Sequence, residues 1–166
     1  MKKIYTVLAI MILGVSLLKA QNTETSDVPS IVLKDLSGKD VDMSSYAKSG
    51  KITIISFWAT WCSPCKKELE NTNELLEEWK KKYDVQLVGI SVDDSRGAMK
   101  VKPYVDGKKW KFDILLDVNQ DCKRVLNFPN VPYTLLIDKN GKIVYKHIGY
   151  QEGDEFVLED HIKLIK

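Results

Sequence analysis

Residues Lys51-Ile52-Thr53-Ile54-Ile55-Ser56-Phe57-Trp58-Ala59-Thr60-Trp61-Cys62-Ser63-Pro64-Cys65 decide the fold. Their first half is β-branched and apolar on both faces, the pattern of a central strand covered from two sides. From Pro64 onward, Leu69, Leu75, Leu76, Trp79 and Tyr83 recur at three- and four-residue spacing and predict a helix over 64–83. Lys80, Lys81 and Lys82 close it, where cations suit the negative end of the helix dipole. A Cys-x-x-Cys therefore sits at a strand-to-helix junction. Cys62 falls at the helix start, where unpaired backbone N–H groups favour a thiolate, and Cys65, within the first turn, can reach the same sulfur to close a disulfide. Lowering a thiol pKa from about 8.5 to about 7 takes roughly 2 kcal/mol. Dipole contributions of about 0.3–1 kcal/mol are too small alone, so hydrogen bonds to the sulfur must add the rest. Pro64 suits a first turn, where its missing N–H costs nothing.

Strands and helices alternate outward from this junction. Residues 85–92 read as a second buried strand, 95–105 as a helix, 112–116 as a strand and 119–126 as a short helix. Asn140-Gly141 joins strands 133–137 and 142–147 into a hairpin, and 152–165 closes the chain as a helix. Upstream, Ser37-Gly38 turns between short strands at 31–33 and 41–43. The result is an α/β sandwich around one mixed sheet.

The chain has 166 residues, 44% hydrophobic and 29% charged, which suits one domain with a sizeable core and excludes a disordered chain. Its first twenty residues are set apart. Lys2-Lys3, an uncharged apolar run at 4–18 and Lys19-Ala20 form a secretory signal layout, cut after Ala20 or kept as an N-terminal anchor. As a helix the run spans roughly 22 Å, short against a hydrocarbon core of about 30 Å. Residues 21–27 read as a polar linker, and the folded domain as 28–166. Removing Lys2, Lys3 and Lys19 leaves 22 basic against 23 acidic residues, so the +2 of the whole chain belongs to its leader. Neither that balance nor the Lys80–Lys82 and Lys108-Lys109 runs, which lack interleaved aromatics, favours nucleic-acid binding. Export places the protein in the periplasm or otherwise outside the cytoplasm.

Trp61-Cys62-Ser63-Pro64-Cys65-Lys66-Lys67-Glu68, with Val131-Pro132-Tyr133-Thr134-Leu135-Leu136-Ile137-Asp138 and Asn140-Gly141-Lys142, resembles the exported thioredoxin-like proteins of the TlpA/ResA group. The resemblance implies a thioredoxin-like sandwich with a central mixed β-sheet, an N-terminal β-hairpin extension and one inserted βα unit near 95–116. It implies a thiol-disulfide oxidoreductase in which Cys62 is the nucleophile and Cys65 the resolving thiol of a redox disulfide. A cis-proline at Pro132 faces that pair, and Trp61, Ser63, Pro64 and Val131 contact substrate. Many thioredoxins carry a buried Asp six positions before the first cysteine; here Ser56 stands there, and a hydroxyl is no carboxylate base. Members of the TlpA/ResA group have a functional Glu at the position of Glu68, which makes it a candidate proton relay; the plain alternative is a dipole-favoured glutamate in an early helical turn. The group's chemistry needs no cofactor or metal. It implies a disulfide-containing exported protein as partner, in cytochrome c maturation or redox repair, a membrane thiol-disulfide reductant as electron donor, and a monomer.

Cys122, with Val125 and Leu126 three and four positions on, reads as a buried bystander thiol. His147 and His161 lack clustered acids or thiols in sequence and read as surface or packed side chains. Three other activities stay open on the residues alone: a thiol oxidase or isomerase, a thiol peroxidase, and a non-catalytic metal- or protein-binding module. A zinc site would need a second close ligand pair. Lys66 stands where Cys-x-x-Cys-His haem attachment requires histidine.

Overall fold

The computed structural model describes residues 25–166. The signal layout at 1–20 and most of the 21–27 linker lie outside them. Strands β1 (Ser26–Asp27), β2 (Val32–Asp35) and β3 (Asp40–Asp42) lead into a one-turn helix α1 (Ser44–Ala47) and strand β4 (Ile52–Trp58). Helix α2 (Ser63–Tyr83), β5 (Val85–Ser91), α3 (Ser95–Lys108), β6 (Asp113–Leu116) and α4 (Asp121–Leu126) follow. The chain ends with β7 (Tyr133–Ile137), β8 (Lys142–Ile148) and α5 (Asp154–Ile165).

The eight strands among the described residues form one mixed sheet in the order β1-β8-β7-β4-β5-β6-β2-β3. Strand β4 runs parallel to β5 and antiparallel to β7, and every one of its residues is buried, as an apolar strand covered on both faces must be. The β2–β3 hairpin extends the sheet beyond β6, which is joined to β5 through α3, so both the hairpin extension and the inserted βα unit are present.

Aromatic packing fixes that inserted unit to the centre. Trp58 at the end of β4 meets the Tyr104 and Trp110 rings at centroid distances of 5.8 and 5.2 Å, and Trp110 stacks on Phe112 at 5.2 Å. Such pairs add about 0.5–1.5 kcal/mol each beyond the area they bury. On α2 the buried face is Leu69, Leu76, Trp79 and Tyr83, with Leu75 only partly covered. Asp84 ends α2 in a left-handed conformation just after Lys80–Lys82.

Three elements differ from the sequence reading, the first being the one-turn helix α1, which has no counterpart among the expected elements. Ser26–Asp27, expected in the linker, pair with Ile143 and Lys142 as an edge strand, and Lys142 Nζ binds Asp27 Oδ1 at 2.7 Å. Backbone pairing by two exposed polar residues has no side-chain periodicity to announce it. Helix α3 runs to Lys108, past the expected end at 105, because Val101 and Val105 anchor one face in the core despite Pro103 in its interior.

Candidate active site

Strand β4 delivers the site. After Trp58 the chain turns through Ala59-Thr60-Trp61, and Cys62 becomes the N-cap of α2 with an extended backbone (φ −90°, ψ 101°). Cys62 and Cys65 are joined as a disulfide with Cα atoms 5.3 Å apart. Both are buried, whereas Ser63 and Pro64 between them are exposed and Trp61 is 70% exposed beside Cys62. Cys62 Sγ accepts the Cys65 N–H at 3.3 Å, a backbone hydrogen bond to sulfur of the kind the dipole arithmetic requires. Val131 O lies 3.9 Å from the same sulfur, and the Val131–Pro132 bond is cis. One half-turn and one loop thus converge on Cys62 from positions 69 residues apart.

The turn before Cys62 is clamped by a residue the sequence reading overlooked. Asp93, buried just past β5, accepts the Thr60 backbone N–H at 2.8 Å, the Thr60 hydroxyl at 2.7 Å and the Ser91 hydroxyl at 2.8 Å. Gly97 lets α3 approach this carboxylate, for a Cβ there would stand 2.6 Å from Asp93 Oδ1. A lone Asp after a strand carries no local sign that its partner lies 33 residues earlier.

Beneath the disulfide, Glu68 follows Cys65 by three residues and shares its inward face of α2. Its carboxylate is buried, with Thr134 Oγ1 donating to Oε1 at 2.5 Å and Ser56 Oγ donating to Oε2 at 3.3 Å. Burial pushes its pKa up to about 7; the two hydroxyls hold it down in part, and the charge of Asp154 adds to the rise. Ser56, the departure from the usual buried Asp, hydrogen-bonds a carboxylate contributed by the neighbouring helix. A carboxyl poised near neutrality within one turn of a thiol can accept or return its proton.

Among the described residues, no three His, Cys, Asp or Glu side chains gather as a metal-binding group, and no helix is long and apolar enough to cross a membrane. Cys122 is buried, its thiol 3.9 Å from Met43 Sδ. Burial, reinforced by Asp117, pushes that thiol's pKa up.

The AhpC/TSA family matches residues 25–146. The chain belongs to that family. Thiol-disulfide oxidoreductase ResA of Bacillus thuringiensis (strain Al Hakam) is 34% identical over 139 residues, covering 84% of this chain and 76% of that protein. The solution structure of an uncharacterized thioredoxin-like protein from Porphyromonas gingivalis superimposes with a TM-score of 0.75 at 40% identity, covering 83% of this chain and 90% of the other. The crystal structure of StoA from Bacillus subtilis gives 0.63 at 26% identity, over 81% and 98%. This AhpC/TSA member has a thioredoxin-like fold and is a thiol-disulfide oxidoreductase, with Cys62–Cys65 as its Cys-x-x-Cys pair.

Proposed function

We propose that the protein is exported by residues 1–20, and that it reduces disulfides of other exported proteins, in cytochrome c maturation or redox repair. The observation that carries the reading is the buried Glu68 carboxyl, with a pKa of about 7, one helical turn below a disulfide whose first sulfur caps α2. That arrangement can take a proton from the inner thiol at neutral pH, which the resolving step of reduction requires.

The reaction runs in two exchanges. Cys62, as thiolate, attacks one sulfur of the partner's disulfide, forming a mixed disulfide and releasing the other partner sulfur as thiolate. Cys65 then gives its proton to Glu68, and its sulfur attacks Cys62, releasing the second partner thiolate and leaving the Cys62–Cys65 disulfide. Two electrons have passed to the partner. A membrane thiol-disulfide reductant returns them, since the medium outside the cytoplasm offers no reducing pool of its own. Trp61, Ser63 and Pro64 present the exposed rim around Cys62, and Val131 with Pro132 forms the opposing wall against which the partner chain lies.

Trapping tests the whole reading. In the native host, Cys65→Ser leaves the mixed disulfide unresolved, and the captured proteins are expected to be exported clients and a membrane donor. Capture of cytoplasmic proteins alone would overturn it. Direction is read separately: the reduced protein should reduce insulin disulfides, and faster oxidation of a dithiol peptide than reduction of its disulfide would make the protein an oxidase.

A further inference from the structure

Glu68 is buried, so a proton it takes from Cys65 needs a way out. Thr134, whose hydroxyl meets Glu68, lies directly across the β7–β8 ladder from His147. Directly opposed residues of an antiparallel pair project from one face, with Cβ atoms about 4.5–5.5 Å apart. His147 Nε2 in turn donates to Asp154 Oδ2 at 3.3 Å, and these two side chains are 35% and 30% exposed. Glu68, Thr134, His147 and Asp154 line one narrow cavity with about 10 Å³ of room for water, the space of a single molecule. A buried carboxyl and a surface imidazole thus share one small polar chamber.

We propose that His147 and Asp154 form the surface end of a proton path from Glu68, a positioning pair that passes to solvent the proton released by Cys65. The inference rests on Glu68 being the acceptor of that proton. As the Cys65 sulfur attacks Cys62, the proton moves to Glu68. Protonated Glu68 gives it through water in the cavity to the His147 ring, and solvent removes it from the ring's exposed edge. No electron travels this route, and reduction of the pair by the donor runs it backward.

Asp154 is suited to hold the ring, for its Oδ2 also accepts the Gln151 backbone N–H at 2.7 Å and is thereby fixed. The other groups facing the path are Ser56 of β4, Thr72 of α2, Tyr145 of β8, Tyr150, and Glu155 of α5. Glu155 is already engaged by the Tyr150 hydroxyl at 2.7 Å and the Gly153 N–H at 3.0 Å. Tyr145 stacks between His147 and His161, at centroid distances of 6.1 and 3.9 Å. Among the described residues, no lysine or arginine lines the cavity to compete for the carboxylates.

The test is a single turnover. Reduced protein is mixed with excess small-molecule disulfide and its tryptophan fluorescence followed from pH 5 to 9, for wild type, Glu68→Gln, His147→Gln, His147→Ala and Asp154→Asn. The three outer-pair variants should slow closure of the Cys62–Cys65 disulfide by about tenfold, short of the roughly hundredfold typical of a lost general acid or base. Added imidazole should restore His147→Ala while leaving wild type unmoved, and His147→Gln placed on Glu68→Gln should cost nothing further. A wild-type rate and pH profile in His147→Gln, beside a slowed Glu68→Gln, overturns the path but leaves Glu68 in its role. If Glu68→Gln also keeps the wild-type profile, Glu68 itself is not the acceptor. A loss in His147→Ala that imidazole does not rescue, accompanied by a lowered melting temperature, marks a structural role and also overturns the path.

Discussion

Cys62 and Cys122 both stand at the start of a helix, and both are buried in the same core, yet only Cys62 belongs to the redox pair. Their surroundings differ in charge. Cys122 follows Asp121 in the first turn of α4, and its own N–H is taken at 3.0 Å by the Asp117 carboxylate, which discourages a second negative charge on the thiol. The first turn of α2 carries no acid, and the sulfur of Cys62 receives a backbone N–H. A helix N-terminus is therefore insufficient to make a working thiol. For Cys122 burial comes first in pushing the thiol's pKa up, and the Asp117 carboxylate that takes the first-turn N–H adds to it.

Removing the favoured sulfur is the harshest way to break this contrast. Cys62→Ser should abolish insulin reduction while Cys122 and Cys65 are both still present; residual turnover from either would mean that helix position suffices after all. A second test reaches the acid below the pair. In the oxidised protein Glu68 titrates at about 7 when folded against 4.5 for an ordinary glutamate, so between those values the folded state keeps a proton that the unfolded state gives up. Stability is then full below about pH 4.5, falls as pH rises towards 7 and levels off above, a loss on the order of 3 kcal/mol. Glu68→Gln should erase that slope in urea unfolding measured from pH 5 to 8; parallel curves for the two proteins would mean that the carboxyl titrates normally.

Smaller effects sharpen the same comparison. Thr134→Val removes the 2.5 Å hydrogen bond that favours ionised Glu68, so the alkaline-going midpoint of thiol exchange should rise by about one pH unit. An unmoved midpoint would assign the control of Glu68 to Ser56 and burial alone. For the bystander, Cys122→Ala should cost about 1 kcal/mol of stability through lost packing and leave insulin reduction unchanged. Iodoacetamide should fail to label Cys122 in the native oxidised protein; rapid labelling would show that the thiol is neither covered nor suppressed.

Much of this was readable from residues alone. The apolar run to Phe57, the Cys-x-x-Cys and the periodic helix behind it announce a strand-to-helix junction, and Asn140-Gly141 announces the hairpin, where Gly141 adopts a positive φ of 80°. The Glu68 position was visible as an i,i+3 neighbour of Cys65, because helical spacing is a local property. Its environment was not. Thr134 is 66 residues away from Glu68, Asp93 is 33 away from Thr60, and His147 meets Asp154 across the turn that leads from β8 into α5.

The central strand, the Cys-x-x-Cys at its junction with the long helix and the Asn140-Gly141 hairpin are legible in the chain alone, since periodicity and turn residues act over a few positions. Folding adds what that pattern lacks: burial raises the pKa of Glu68 towards neutrality, Asp93 locks the turn before Cys62, and Ser26–Asp27 complete the sheet edge. Those outcomes depend on desolvation and on hydrogen bonds between distant segments, and neither leaves a trace in the local pattern of the chain.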